Sequence, residues 1–559
     1  MAYDLKITGG TIVDGTKAPR YVGDVGVRDG KVVALGAAPE DADTTIDATG
    51  RIVSPGFVDI HTHYDAQIMW DNLVSCSPWH GVTTVVMGNC GFSVAPTRPT
   101  HRDLIMRTLE NVEGMSVDAL RAGLGDDWGF ETFPEYLDAV DAHGCAVNVA
   151  ALMGHTALRM YVMGEESVTR DATPEEIEAQ RDLLREALEA GALGFATSKA
   201  VTHVGYDGHP VPSRLADPEE IFAIAQALGE VPNAVMQATV GRGLSHDQFA
   251  RIAEETGRNV SWTALLSGVP KQDYREELRR AAEIQERGLP VYPQVAVQPV
   301  QFEMSWKAPF IYEALRCFQP VSKADLDGRK ALYADPDWRD TFKEKAGRGG
   351  IIHDRWARTT ISWYPLDPSL EGRNVQQLAD ERHQDPVDLV LDVALDADLD
   401  MRITQDVINY DPDDIQVLLS DPTTVIGLSD AGAHASQLCD AKYSTEFLST
   451  FVREREAFTL EEGIHMLTQR PAQVFGITDR GTLEEGKPAD VVIFDADEVG
   501  HLGKRRVHDL PGGADRIISD AKGIDAVIVN GTVIRRDGVD QVEAGPGLPG
   551  ALLRNGSAA

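Results

Sequence analysis

Cysteine is scarce in this chain. Five residues in 559 (Cys76, Cys90, Cys145, Cys317 and Cys439) form no CxxC pair and are too few to staple a protein of this size. A reducing compartment fits that usage. Positive charge is short as well: 52 Lys and Arg stand against 88 Asp and Glu, a formal net charge of −36. Nucleic acid and anionic membranes would repel such a chain, so neither is expected as a partner. The acid excess reads as a well-solvated surface. Long apolar runs are missing, with no stretch approaching the roughly 18 uninterrupted apolar residues of a membrane span. The start, Met1-Ala2-Tyr3-Asp4-Leu5-Lys6, lacks the basic segment and apolar core of a secretory leader. A soluble cytoplasmic protein is the expectation. What is present is ordinary globular material, 43% hydrophobic and 25% charged, enough to bury a large core in one major domain with a smaller companion.

The two ends share a texture that the middle lacks. Asp4–Thr8 and Val22–Val27 alternate, Asp29-Gly30 is a hairpin turn, and Lys31–Leu35 follows; near the other end Val491–Phe494 and Ile524–Ile534 read as further strands. A small β-domain assembled from residues 1–55 and 480–545 is expected. Between them, in 56–479, strands and helices alternate. Thr173-Pro174-Glu175-Glu176 and Asp217-Pro218-Glu219-Glu220 each give an N-cap, a Pro at the first helical position and early acidic residues. Strand patterns at 57–63, 82–87, 148–153, 193–197, 234–240, 259–265, 290–295 and 424–428 make eight, which predicts a (β/α)8 barrel with its site at the strands' C-terminal tips. Residues 298–352 are aromatic and irregular, without a strand pattern, and are expected to be a lid inserted on the catalytic side or a peripheral packing subdomain. The Gly/Pro-rich tail, 546–559, is expected to be loosely ordered.

The organising stretch is Gly56-Phe57-Val58-Asp59-Ile60-His61-Thr62-His63-Tyr64-Asp65. In an extended chain, residues i and i+2 share a face, so His61 and His63 present their imidazoles together at a strand tip. That is either a polar strand end or a pair of ligands for zinc or a related divalent ion, with room left for a carboxylate and a water. Far downstream, Val425–Leu428 ends in Ser429-Asp430.

These residues resemble the amidohydrolase superfamily, and within it the N-acyl-D-amino-acid deacylases, or D-aminoacylases. The resemblance is carried by Gly9–Gly15, Pro55–Asp65, Gly88-Asn89-Cys90-Gly91-Phe92, Gly154-His155 with Arg159, Ser429-Asp430, and Asp479–Leu483 with Pro488-Ala489-Asp490. It implies hydrolysis of an amide by metal-activated water. His61 and His63 match the metal pair, Asp430 a ligand and general acid/base, and Cys90 the cysteine ligand; the alternative for Cys90 is a small buried hydrophobe. The resemblance implies zinc, as one or two ions, and a small-molecule amide substrate, and leaves a homo-oligomeric assembly open.

Departures from that family are as informative. Its histidine ligands on the fifth and sixth strands are missing, since the segments read Met236-Gln237-Ala238-Thr239-Val240 and Ser261-Trp262-Thr263-Ala264-Leu265. Lys199, ending the fourth strand, matches the position of a metal-bridging carbamylated lysine in other amidohydrolases; the alternatives are a solvent-facing or substrate-carboxylate lysine. His203 enters the site or structures its loop. His155 serves as a catalytic oxyanion or orienting group or is hydrogen-bonded inside the rim. His434 is read as an orienting neighbour of Asp430. The expected activity is deacylation of an N-acyl amino acid, with a cyclic amide hydrolase and a non-catalytic binding relative as rivals.

Overall fold

The computed structural model describes residues 2–309, 312–313, 315–346 and 355–558. It divides into two compact units, one of Met1–Leu265, Tyr274–Val297 and Gln416–Ala559, the other of Leu266–Asp273 and Gln298–Ile415.

In the first unit all eight expected barrel strands form one parallel sheet: Phe57–Asp59, Val82–Met87, Asn148–Gly154, Gly194–Ser198, Val235–Thr239, Asn259–Thr263, Val291–Val295 and Val425–Ile426 neighbour one another in that order. A bridge between Thr62 and Ala431 joins the ends and closes the barrel. Burial on both faces explains why these strands lack the polar alternation of a half-exposed sheet, as in Val82–Met87, where every residue is buried. The helix signals hold. Thr173 caps Pro174–Glu189 in a reciprocal capping box with Glu176, and the Asp217 side chain accepts from the Glu219 amide at the head of Pro218–Ala225.

Both chain ends meet in a nine-stranded sheet, in which Ile52–Pro55 pairs with Val491–Phe494 and Tyr3–Ile12 lies beside Tyr21–Arg28. Its core is built from aliphatic residues of both ends, among them Ile7, Val25, Val53, Val491 and Ile528. The tail corrects the expectation of a loose end. Gly550 N donates to Cys145 O, Leu553 N to Val149 O, and Leu553 is fully buried in the barrel's cluster with Val58, Leu152 and Val235. Apolar residues within the Gly/Pro-rich segment, hidden by composition, anchor it.

The second unit has a core of its own. The aromatic stretch supplies Trp306, Tyr312, Phe318, Tyr333, Trp338 and Phe342 to one cluster, with Trp306 stacked on Tyr312 at 5.6 Å between centroids. A strand absent from the sequence reading, Val300–Ser305, pairs with Arg402–Ile408, which also pairs with Thr359–Trp363. Within 298–352, residues 310, 311, 314 and 347–352 lie outside the described residues. Among the described residues no helix is long and apolar enough to cross a membrane.

Candidate metal centre

Regular pairing of the first barrel strand stops at Asp59, yet the chain stays extended through the two histidines. Thr62 N donates to Val86 O at 3.1 Å and His63 N to Ala431 O at 2.7 Å. Extended backbone keeps both imidazoles on one side, their centroids 5.3 Å apart.

Each ring is oriented through its Nδ1. His61 Nδ1 lies 2.7 Å from Gln294 Oε1, and Gln294 Nε2 donates to Ser261 Oγ at 3.0 Å. An amide oxygen only accepts, so Nδ1 carries the proton and Nε2 presents a lone pair. That Nε2 is 3.4 Å from Cys90 Sγ and 3.3 Å from Asp430 Oδ1. His63 Nδ1 sits 3.1 Å from Glu113 Oε1, while its Nε2 is 3.8 Å from the same Asp430 oxygen.

Cys90 and Asp430 reach this centre from turns, and both hold left-handed backbone, φ 56° and 44°. Gly88, at φ 84°, is required beside Cys90, because a Cβ there would stand 2.1 Å from Leu152 O. The Cys90 amide is pinned by Gln237 Oε1 at 2.7 Å, and Gln237 Nε2 donates to Thr263 Oγ1 at 3.3 Å. Ser429 Oγ donates to His61 O at 2.9 Å, tying the Asp430 turn to the histidine strand.

The ligand atoms of His61, His63 and Cys90 all lie within 4.8 Å of one another, and all three residues are buried. Burial would raise the Cys90 thiol, but His61 and His63 outweigh it and hold the thiol down at about 6. Burial opposes protonation of both histidines as well; Cys90 and Asp430 raise His61 against it, and Glu113 and Cys90 raise His63. Nitrogen lone pairs, a thiolate and a carboxylate competing for protons in a dry site are the donor chemistry of a zinc-type cation. The residues fit the metal.

Other expected site residues lie elsewhere. Lys199 does not join the donor set: its Nζ donates to Arg214 O at 2.5 Å and Ala216 O at 2.6 Å, bracing the loop after the fourth strand. His155 is fully buried at the head of His155–Met163, where it bonds Thr197 Oγ1 through Nδ1 at 2.8 Å and places Nε2 3.5 Å from Glu220, which also takes Arg159 Nε at 2.9 Å. His203 bonds Ser198 Oγ at 2.7 Å and packs on Phe92 at 5.0 Å; burial, with His434 and His63 nearby, lowers it to about 3. His434 occupies the turn beyond Asp430, where its carbonyl accepts from the Gln437 and Leu438 amides. Sequence reasoning missed Glu113 and Gln294. Gln294 lies on a recognised strand without a motif; Glu113 ends the helix Arg102–Glu113, which no barrel pattern marks.

The chain is 31% identical over 581 residues to an uncharacterized protein of Mycobacterium tuberculosis, covering 96% of this chain and 92% of that one. It is 29% identical to a D-aminoacylase of Alcaligenes xylosoxydans xylosoxydans, over 95% of this chain and 94% of the relative. Among solved structures it resembles the N-acyl-D-glutamate deacylase of Bordetella bronchiseptica, described as complexed with zinc and a phosphonate mimic of the tetrahedral intermediate. That likeness has a TM-score of 0.67 at 27% identity and covers 99% of this chain and 100% of that one. A model of the amidohydrolase family matches residues 44–535, and with the HxH pair and the late aspartate converging at the barrel's mouth, the chain belongs to that family of hydrolases acting on carbon–nitrogen amide bonds.

Proposed function

We propose that the protein deacylates a small N-acyl amino acid, with D-configured substrates preferred, using a single zinc ion held by His61, His63, Asp430 and Cys90. The observation that carries this is the convergence at His61: its Nε2 faces Cys90 Sγ and Asp430 Oδ1 at 3.4 and 3.3 Å, while Nδ1 lies 2.7 Å from Gln294 Oε1. Names of the deacylase relatives support the substrate class. The Lys199 amine, held by the Arg214 and Ala216 carbonyls, favours the linear over the cyclic amide reading.

Zinc in such a donor set supplies a Lewis acid that acidifies water and polarises an amide carbonyl. Gln294 and Glu113 hold the two imidazoles so that their Nε2 atoms stay presented. The Asp430 side chain is 28% exposed where that of His61 is fully buried, so it is open to substrate as well as to the donor set. Its carboxylate takes a proton from the attacking water and passes it to the leaving nitrogen; the water oxygen ends on the acyl carbon and the C–N bond breaks. The test is a screen of N-acyl-D-, N-acyl-L- and cyclic amides with zinc-loaded enzyme. Turnover highest on N-acyl-D-amino acids is expected, and turnover confined to cyclic amides would overturn the reading.

A further inference from the structure

The loop that delivers Asp430 and the segment that follows the histidine pair meet at two thiols. Cys76 and Cys439 lie with Sγ atoms 3.8 Å apart, both buried and both free. They line a cavity of about 30 Å³ together with Asp430, Gly432 and Arg516. A cavity of that size admits a water or a molecule little larger, such as hydrogen peroxide.

We propose that Cys76 and Cys439 are a reversible disulfide site, oxidised by a small hydroperoxide, that turns the hydrolase down. The Cys76 thiolate attacks the peroxide, whose O–O bond breaks to leave a sulfenic acid on Cys76 and, once protonated, one water. Cys439 sulfur then attacks the Cys76 sulfur, its proton leaves with the hydroxyl as a second water, and the S–S bond forms. Two thiols are oxidised and one peroxide is reduced. The order of events follows from the surroundings. The hydrogen bond from Cys439 holds the Cys76 thiol well below its usual range, against the effect of burial and with help from His80, whereas Cys439 is raised. On these directions Cys76 is assigned the attack and Cys439 the resolution, and the disulfide formed is the same in either order.

Both partners are wired to the centre. On one side, Leu438 N donates to His434 O at 3.0 Å, Ala433 N to Asp430 O at 2.9 Å, and Ala435 N to the carbonyl of Glu113, the residue that orients His63, at 3.1 Å. On the other, Ser77 Oγ lies 2.7 Å from the hydroxyl of Tyr64, the residue after His63. Forming a bond of about 2.05 Å from a contact of 3.8 Å draws these two segments together. A displacement of about 1 Å at Asp430 is enough to cost about 100-fold in turnover.

The linkage does not depend on the deacylase reading, but its effect on turnover does, so the experiment reads them separately. Zinc-loaded full-length protein is treated with hydrogen peroxide, the remaining thiols are alkylated, and the digest is mapped by mass spectrometry while turnover is followed. A peptide pair joined through Cys76 and Cys439 is expected, with turnover lowered about 10- to 100-fold and restored by dithiothreitol. Cys439→Ser, or Cys439→Ala should serine disturb the packing, should keep basal turnover and resist reversible inactivation. Recovery of both peptides in alkylated form overturns the site. Inactivation of the Cys439 variants equal to that of the wild type overturns its role in turning the hydrolase down. Should no amide be turned over at all, the peptide map alone decides on the disulfide, and the failure belongs to the deacylase reading.

Discussion

Gln294 Oε1 accepts from His61 Nδ1 at 2.7 Å, and this one bond settles which nitrogen of His61 faces Cys90 and Asp430. A glutamine on the seventh barrel strand thus sets the chemistry of a histidine beyond the first.

Removing that acceptor should loosen the metal. Gln294→Leu is expected to weaken zinc binding about 10- to 100-fold, whereas Gln294→Glu, which still accepts, should come closer to the wild type. Competition with a chromophoric chelator measures both. Equal affinities for wild type and the leucine variant would show that the tautomer is held by something else.

Asp430→Asn keeps the side chain's shape but removes the proton shuttle. Turnover should fall by about 10²- to 10⁴-fold with the circular dichroism unchanged. A variant as active as the wild type would exclude Asp430 as the general acid/base.

Glu220 gives a pH signature unconnected with the metal. Burial alone would raise its carboxyl, but His155 and Arg159 outweigh that and depress it from 4.5 to about 2. A depressed carboxyl contributes stability that is full above its unfolded value and is lost as pH falls through the folded one. The Glu220 contribution should therefore fade between pH 4.5 and about 2. Glu220→Gln, which strips a buried arginine of its partner, should cost about 3–5 kcal/mol near neutrality and flatten that acid limb in thermal melts. An unchanged acid limb would place the pH sensitivity in other groups.

The docked tail makes a stability prediction. Leu553 is fully buried beside barrel residues, so Leu553→Ala should destabilise by about 2–5 kcal/mol. A melting temperature indistinguishable from the wild type would mean that the tail contributes no stability.

What the sequence revealed and what it hid divide along physical lines. The barrel was legible because buried parallel strands are short, uncharged, β-branched-rich runs between capped helices, as at Val82–Met87 and Pro174–Glu189. His61 and His63 were legible because i and i+2 spacing is a local property. Glu113 and Gln294 were not, since each acts through a contact between residues distant in the chain, His63 with Glu113 and His61 with Gln294, which no local pattern encodes. Lys199 shows the same limit from the other side. Its position at a strand end matched a metal-bridging lysine, but carbonyls of the following loop, at Arg214 and Ala216, take up its amine.

Elemental analysis of the purified protein after exhaustive dialysis, set beside His61→Ala, tests the central claim most directly. With no histidine in 236–240 or 261–265 and one tight cluster of donors among the described residues, the account predicts about one zinc per chain in the wild type and almost none in the variant, since each ligand lost removes much of the binding free energy. Two firmly held ions per chain, or zinc retained by His61→Ala, would contradict it.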